Sequence, residues 1–371
     1  LNSPGKIIVG MSGGIDSSVA AALLVEEGFD VEGFSLRLQP CDDDLENSSC
    51  CGVRGLASAR AVADRLGIPH LVRDLRQRFD RIVLRGAWED YARGRTPNPC
   101  VVCNRKVKFA AIVERARETG AAWIATGHHA RVVGAGDMSE SPKLLRGRDG
   151  DKDQSYFLCR LSLDQLSMTR LPVGSMTKAG VRETARRLDL PVQGRPESQD
   201  VCLESLGLGF AEALRLRFGA ETLPGEIVDT QGTVLGTHTG IHRFTIGQRR
   251  GLGIASGDRL HVVAIDHQRA RVIVTADEHR LFSNSCVLSD MTWFSEEHAG
   301  RSFGADVQIR SRHQAAAALI EPVADRAVHV RFREKQRAVT PGQAAAIYAA
   351  ERLLGAGWLE SATSDDNRGI S

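Results

Sequence analysis

Short apolar runs and longer amphipathic stretches take turns along the first 200 residues. Lys6 to Met11 is a compact apolar run, the pattern of a strand buried on both faces. Ser17 to Glu27 is rich in Ala and Leu and stops at Gly28, which predicts a helix. Val31 to Leu38 predicts a second strand, Val53 to Leu66 a helix closed by Gly67, and His70 to Asp74 a short strand. Arg76 to Tyr91 has a helical pattern that breaks at Gly94-Arg95-Thr96-Pro97-Asn98-Pro99. Arg105 to Glu118 predicts an amphipathic helix and Ala121 to Gly127 another strand. Such alternation argues for a parallel sheet with helices on both faces.

The pattern changes after about residue 205. Leu208 to Phe218 is still helical, but from Gly225 onward strands and turns prevail. Leu260 to Ile265 and Ala270 to Val274 flank Asp266-His267-Gln268-Arg269 and predict a hairpin. Ala305 to Ala350 alternates in the same way, so two small β-rich domains are expected here. The polar stretch Ser361 to Ser371 is expected to be a disordered tail.

Composition narrows the class. The chain has 371 residues, enough for two or three domains, with 42% hydrophobic and 25% charged residues. No apolar run approaches a bilayer span, and Leu1 to Gly10 has no charged stretch followed by a signal-peptide core; no membrane partner and a cytoplasmic location are expected. A net charge of +2 neither demands nor excludes nucleic acid. Basic residues do cluster, at Arg93 to Lys108, at Arg243 to Arg250 and from Arg310 to Arg337.

The sharpest chemical signal is Ser12-Gly13-Gly14-Ile15-Asp16-Ser17, set between the first strand and the first helix. Paired glycines let the backbone approach an anion, and successive N–H groups ahead of a helix N-terminus form a nest for it. There is no Gly-Lys-Ser/Thr and no Gly-x-Gly-x-x-Gly here, so neither a Walker A loop nor a dinucleotide fingerprint is present. The segment resembles the pyrophosphatase loop of the ATP-pyrophosphatase superfamily, whose members cleave ATP between the α and β phosphates and adenylate a substrate.

Eight cysteines are present. Cys100 and Cys103 stand in a segment expected to be loop-like before a basic helix, and Cys202 ends Ser198-Gln199-Asp200-Val201-Cys202. Both settings favour thiolate. On its own the Cys-x-x-Cys pair fits half a zinc site, with two further ligands from Cys41, Cys50 and Cys51, a redox dithiol, or part of an iron–sulfur ligand set. Cys159 and Cys286 have the surroundings of buried packing residues.

Taken together, the loop and the two cysteine segments resemble the tRNA-uridine 2-sulfurtransferases, or 2-thiouridylases. Further markers are Lys108-Phe109, Ala125-Thr126-Gly127-His128, Lys152-Asp153-Gln154, Thr245-Ile246-Gly247-Gln248 and Pro341-Gly342-Gln343. The resemblance runs from about residue 5 to 360. It implies a parallel-sheet α/β nucleotide-binding domain of the adenine nucleotide alpha hydrolase type (1–205), a small central α+β domain (206–280) and a C-terminal β-barrel (281–360), with 361–371 as the tail. It implies ATP with Mg2+, tRNA as substrate, a persulfide donor (a cysteine desulfurase or a sulfur relay protein) and a thiol reductant.

Carried over position by position, the resemblance gives Gly10, Met11, Ser12, Gly13, Gly14, Ile15, Asp16, Ser17, Leu36 and Gly127 as ATP contacts. Asn98, Pro99 and Cys100 surround the target base. His128, Lys152, Asp153, Gln154, Arg310, Ser311 and Gln343 contact tRNA. Cys202 carries the persulfide and Cys103 helps release its sulfur, leaving a Cys103–Cys202 disulfide to be reduced. Many relatives have Asp, with an acid/base part, where this chain has Cys100. That departure opens a variant in which Cys100, Cys103 and Cys202 hold a [4Fe-4S] cluster; the persulfide route is the first expectation.

Overall fold

The computed structural model describes residues 4–38, 53–136, 141–192, 209–219, 222–255, 257–324 and 326–363. Cys41, Cys50, Cys51, Cys202 and the tail from residue 364 lie outside them. The chain divides into two units. The first comprises residues 1–83, 100–207 and 351–353, and the second 84–99, 208–350 and 354–371.

In the first unit, β1 (Lys6–Gly10), α1 (Ile15–Glu26), β2 (Asp30–Arg37), α2 (Val53–Leu66), β3 (His70–Asp74) and β4 (Trp123–Thr126) follow the predicted order. A hairpin of β5 (Ala130–Val133) and β6 (Lys143–Arg146) comes next, then the two-residue β7 (Thr169–Arg170). The sheet order is β3-β2-β1-β4-β7, every pair parallel. Ile7, Val9 and Met11 join one core with α1, α2 and the helix Lys178–Arg187. Ile8, between them, is equally buried, and Gly10 lies under Ile112 of the helix Phe109–Thr119. Both faces of β1 are therefore covered, which is why its sequence is a continuous apolar run rather than an alternating one.

Strand order reverses at β1. β2 and β3 lie to one side of it and β4 and β7 to the other, so the chain segments leaving β1 and β4 part in opposite directions. The region beyond the carboxyl ends of those two strands is the place where open α/β sheets bind ligands.

One local expectation is corrected. The segment with Cys100 and Cys103 is not a loop; Pro99–Cys103 is helical and runs through a π-helical stretch, Asn104–Lys108, into Phe109–Thr119. Pro99 is the first helical residue, where its missing N–H costs no intrahelical bond, and Val101 and Cys103 are buried. The Pro-Asn-Pro signal that breaks one helix thus opens the next.

The second unit begins with a helix (Arg85–Ala92) and contains another (Phe210–Phe218). One four-stranded sheet, of β8 (Gly225–Val228), β9 (Val234–His238), β10 (His261–Asp266) and β11 (Arg271–Thr275), has the order β10-β11-β8-β9 and packs around Val262, Val272 and Val274. The other strands are β12 (Phe282–Trp293), β13 (Phe303–Gln308), β14 (Ala316–Ala324), β15 (Ala327–Arg337), β16 (Ala344–Ala349) and β17 (Arg352–Thr363). They run β12-β15-β14-β13-β16-β17, and a β12–β17 pairing closes the barrel. Val328, Val330 and Phe332 alternate with half-buried or exposed neighbours along β15, the period-2 pattern of a wall with one face inward.

Candidate active site

The loop after β1 closes on itself. The Ser17 hydroxyl accepts from the Ser12 amide (3.2 Å) and donates to the Gly14 carbonyl (3.0 Å), while Ser18 donates to the same carbonyl (2.9 Å). Gly14 is the N-cap of α1 and contributes no side-chain cap to the first-turn N–H groups. Gly13 has φ +77°, and a Cβ there would stand 2.1 Å from the Gly55 carbonyl oxygen of α2. Gly127, just past β4, presses on α1 so closely that a Cβ would lie 2.4 Å from the Ser17 nitrogen. Gly10, Ser12, Gly13, Gly14, Asp16, Ser17 and Gly127 are thus brought together. Met11 and Ile15 turn their side chains into the core, and the Met11 backbone is tied to β2, its amide donating to the Phe34 carbonyl (2.9 Å) and its carbonyl accepting from the Ser35 hydroxyl (2.7 Å). Leu36 is half-buried on β2, paired with Arg73.

Asp16 is the charged centre. Lys178 Nζ reaches both its oxygens at 2.7 Å, and His129 Nε2 lies 3.0 Å from Oδ1. Burial works against the carboxylate; hydrogen bonds from His129 and Lys178, with the Lys178 charge, outweigh it and hold Asp16 below the ordinary carboxylate range. Lys178 and His129 were not foreseen from the sequence. The Lys178 side chain is only 10% exposed, and its backbone N–H donates to Asp149 (2.8 Å) at the start of a Thr177-capped helix.

Gln154 grips His129 at both ends of its peptide unit: its Oε1 accepts from the His129 amide, and its own amide donates to the His129 carbonyl, each at 2.8 Å. Asp153 accepts from Arg146, the Gly147 and Ser155 amides and the Ser155 hydroxyl, at 2.8–3.0 Å. Lys152 ends a 3-10 turn beside them. Neighbouring His128 turns elsewhere, with Nδ1 2.8 Å from the Thr126 hydroxyl and its ring 5.8 Å from that of Phe109. Desolvation, then the Lys108 charge, pushes this imidazole down to about 3, so it is neutral at physiological pH.

Cys100 and Cys103 lie three residues apart, neighbours on one helix face. Asn104 beside them is buried and donates to the Phe157 carbonyl (3.0 Å). The π-helical stretch that follows leaves the Arg105 carbonyl to the Gln165 side-chain carboxamide, which donates to it at 2.8 Å, so the extra residue is stabilised from outside the helix. Cys159 and Cys286 are buried, and burial pushes both thiols up to about 12, as packing cysteines should be. Among the described residues no group of three His, Cys, Asp or Glu side chains is placed to hold a metal ion, and Cys202, the third ligand of the cluster variant, lies outside them.

In the second unit Asn98 is buried and Pro99 half-buried. Arg310 donates to the Arg337 carbonyl (3.0 Å), and the Gln308 amide donates to the carbonyls of Arg310 and Ser311, so this turn has an ordered backbone with Ser311 exposed. Gln343 donates to the carbonyls of Thr96 (3.1 Å) and Pro97 (2.9 Å).

Comparison with known proteins adds three family models and a set of relatives. A tRNA methyl transferase HUP domain matches residues 5–205, a tRNA methyl transferase PRC-barrel domain residues 216–276, and an aminomethyltransferase β-barrel domain residues 283–359. The tRNA-specific 2-thiouridylase MnmA of Geobacter metallireducens is 43% identical over 367 residues, covering 97% of this chain and 98% of that protein. Its namesake from Carboxydothermus hydrogenoformans is 41% identical over 358 residues, covering 96% and 97%. Among solved structures, a 4-thiouridine synthetase–RNA complex with bound ATP aligns at a TM-score of 0.35 and 16% identity, covering 54% of this chain and 45% of that one.

Proposed function

This chain belongs to the tRNA-specific 2-thiouridylase family, and from that premise we propose how its residues convert the wobble uridine of tRNA to 2-thiouridine. The C2 carbonyl of uridine is a poor electrophile with no good leaving group. ATP supplies one: O2 attacks the α-phosphorus, pyrophosphate departs, and C2 carries an O-linked AMP. The observation that carries this reading is the closed Ser12–Ser17 loop at the sheet's reversal point, backed by uncapped N–H groups of α1 and by the Lys178 cation. Backbone donors and a fixed positive charge favour the charge that develops on a departing pyrophosphate. Magnesium shields phosphate charge when it accompanies ATP. Asp16 is the carboxylate that would share it, and since both its oxygens face Lys178, the residues fit an ion held chiefly by the phosphates.

Sulfur transfer follows. The terminal sulfur of a Cys202 persulfide attacks C2 and AMP leaves, so the nucleoside is joined to Cys202 through two sulfurs. The Cys103 thiolate then attacks the Cys202 sulfur; the S–S bond breaks, 2-thiouridine is released and a Cys103–Cys202 disulfide remains. Two electrons from a thiol reductant restore both thiols, and a cysteine desulfurase or sulfur relay protein reloads Cys202. Asn98, Pro99 and Cys100 surround the target base. Residues 1–205 carry the chemistry, while 206–280 and 281–360 hold tRNA, with Arg310 and Ser311 on its backbone. The helix Pro99–Cys103 holds Cys103 buried, directly ahead of the basic stretch Asn104–Lys108.

No helix among the described residues is long and apolar enough to cross a membrane, and we place the reaction in the cytoplasm, where tRNA and reduced thiols are found together. The test is pyrophosphate release from ATP on addition of tRNA. Release that depends on tRNA with a wobble uridine is expected; release without tRNA, or none with it, refutes adenylation of the uridine.

A further inference from the structure

Three of the sequence markers lie outside the phosphate loop and the cysteine chemistry just described: Gly94–Pro99, Thr245–Gln248 and Pro341–Gln343. They are separated by as many as 247 positions, yet meet within the second unit. The Thr96 hydroxyl lies 3.2 Å from that of Thr245, and the Thr96 amide donates to the Pro341 carbonyl at 2.9 Å. Arg95 pairs with Glu360 of β17 and also reaches Asp90 at 3.4 Å. The turn at Thr245 is itself fixed, because the Gln248 carboxamide accepts from the Thr245 amide (3.0 Å) and the Gly247 amide donates to the Val262 carbonyl (2.8 Å).

The chemistry of Thr96-Pro97-Asn98-Pro99 explains why such a junction is needed. Two of its four residues are prolines, so it has few N–H groups and cannot pair as a strand. Its carbonyls still need donors, and Pro97 is buried. The Gln343 carboxamide has two N–H donors and meets two carbonyls, Thr96 and Pro97, at 3.1 and 2.9 Å. The Gln343 backbone is tied to β17 by the Leu359 amide (2.9 Å). Gly342, at φ +92°, lets the turn come so near that a Cβ there would stand 2.7 Å from the Thr96 carbonyl oxygen. Asn98 follows directly, and Cys100 two residues later.

We propose that Gln343 is a positioning residue, which holds Asn98 and Pro99, two of the residues assigned to the target base, in place through the Thr96–Pro97 backbone. The inference rests on the adenylation reading above. Both donors of its carboxamide are engaged inside the protein, and what they fix is the backbone just ahead of the residues assigned to the target base.

The two roles differ in what they change. A tRNA contact sets affinity; a positioning residue sets the rate once tRNA is bound. The experiment measures the tRNA Kd by filter binding and single-turnover pyrophosphate release at saturating tRNA, for wild type, Gln343→Ala, Gln343→Glu and Gly342→Ala. Gln343→Glu keeps size and reach but turns an oxygen toward both carbonyls. Gly342→Ala disturbs the same carbonyl while leaving the carboxamide in place, and so covers the case in which the Glu variant does not fold. The expected result is a saturated rate lower by about tenfold or more in all folded variants, with the Kd of Gly342→Ala within about threefold of wild type. A Kd raised about tenfold with the saturated rate intact makes Gln343 a tRNA contact and overturns the proposal, as does a Gly342→Ala enzyme with the wild-type rate. Silence of the wild-type protein in this assay counts against the adenylation reading instead.

Discussion

The Ser12–Ser17 loop is closed by hydrogen bonds between residues no more than five positions apart, whereas Thr96 and Pro97 are held by residues 149 to 247 positions away. Both are irregular segments at the mouth of a helix, and both rely on glycines where backbones nearly touch. The first is nearly self-sufficient: its shape follows from its own hydroxyls and glycines, and β4 and the helix Lys178–Arg187 add Gly127 and a cation. The second takes its shape from the barrel and from the turn at Thr245. Damage to the first should therefore abolish phosphate handling at the source, while damage to the partners of the second should slow the reaction without touching ATP.

The largest expected effect tests the first half of that contrast. Gly127→Ala places a Cβ 2.4 Å from the Ser17 nitrogen and 2.5 Å from the Asp16 carbonyl carbon, backbone atoms that have nowhere to go. It should destabilise the protein by about 3 kcal/mol or more and abolish pyrophosphate release. Gly14→Ala meets nothing closer than the Ser12 hydroxyl at 3.4 Å and should fold. Thermal unfolding of the two side by side decides whether the loop's close approaches are as tight as described.

Next, Lys178→Met should lower saturated pyrophosphate release by about 10²-fold or more, with Lys178→Arg intermediate and tRNA affinity unchanged. An ATP-saturated Lys178→Met enzyme at wild-type rate would remove the cation from the mechanism. On the second unit, Arg310→Ala should weaken tRNA binding and reduce the slope of log affinity against log salt by about 1; an unchanged slope means that Arg310 serves the barrel alone, through its bond to the Arg337 carbonyl.

The smallest effect concerns pH. Hydrogen bonds from Arg215 and His242 hold the Glu212 carboxyl down at about 2, against an ordinary value of 4.5. A carboxyl depressed in the folded state stabilises above its unfolded pKa and loses that contribution as pH falls through the folded one. Glu212→Gln should therefore lower the melting temperature slightly at pH 7, with the gap from wild type closing between pH 4.5 and 2. A gap that persists at pH 2 would mean the residue acts through packing.

What could be read in the sequence follows the same division. β1 and β4 declared themselves as apolar runs because a strand buried on both faces needs no alternation, and the phosphate loop was written in consecutive letters. Lys178 was not legible: it is one of 48 basic residues, and only the folding of its helix against α1 brings it to Asp16. His128 and His129 could not be told apart either, since the choice depends on which way the chain turns after β4; the sequence drew attention to His128, and the structure puts His129 on Asp16. The helical state of Pro99–Cys103 was missed because proline punctuates both the end and the beginning of helices. Asp153, Gln154 and Gln343 were marked as notable residues by resemblance alone. Their observed bonds are to the protein's own backbone and side chains, a role no local pattern encodes.

The most direct test of the account is a single-turnover reaction of the reduced protein with ATP, a persulfide donor and unmodified tRNA, following 2-thiouridine by mass spectrometry and pyrophosphate in parallel. Wild type should form both in equal amounts. Cys202→Ser should release pyrophosphate yet form no 2-thiouridine, and Cys159→Ser and Cys286→Ser should behave as wild type. Formation of 2-thiouridine by Cys202→Ser at the wild-type level would contradict sulfur transfer through that thiol, and with it the mechanism described.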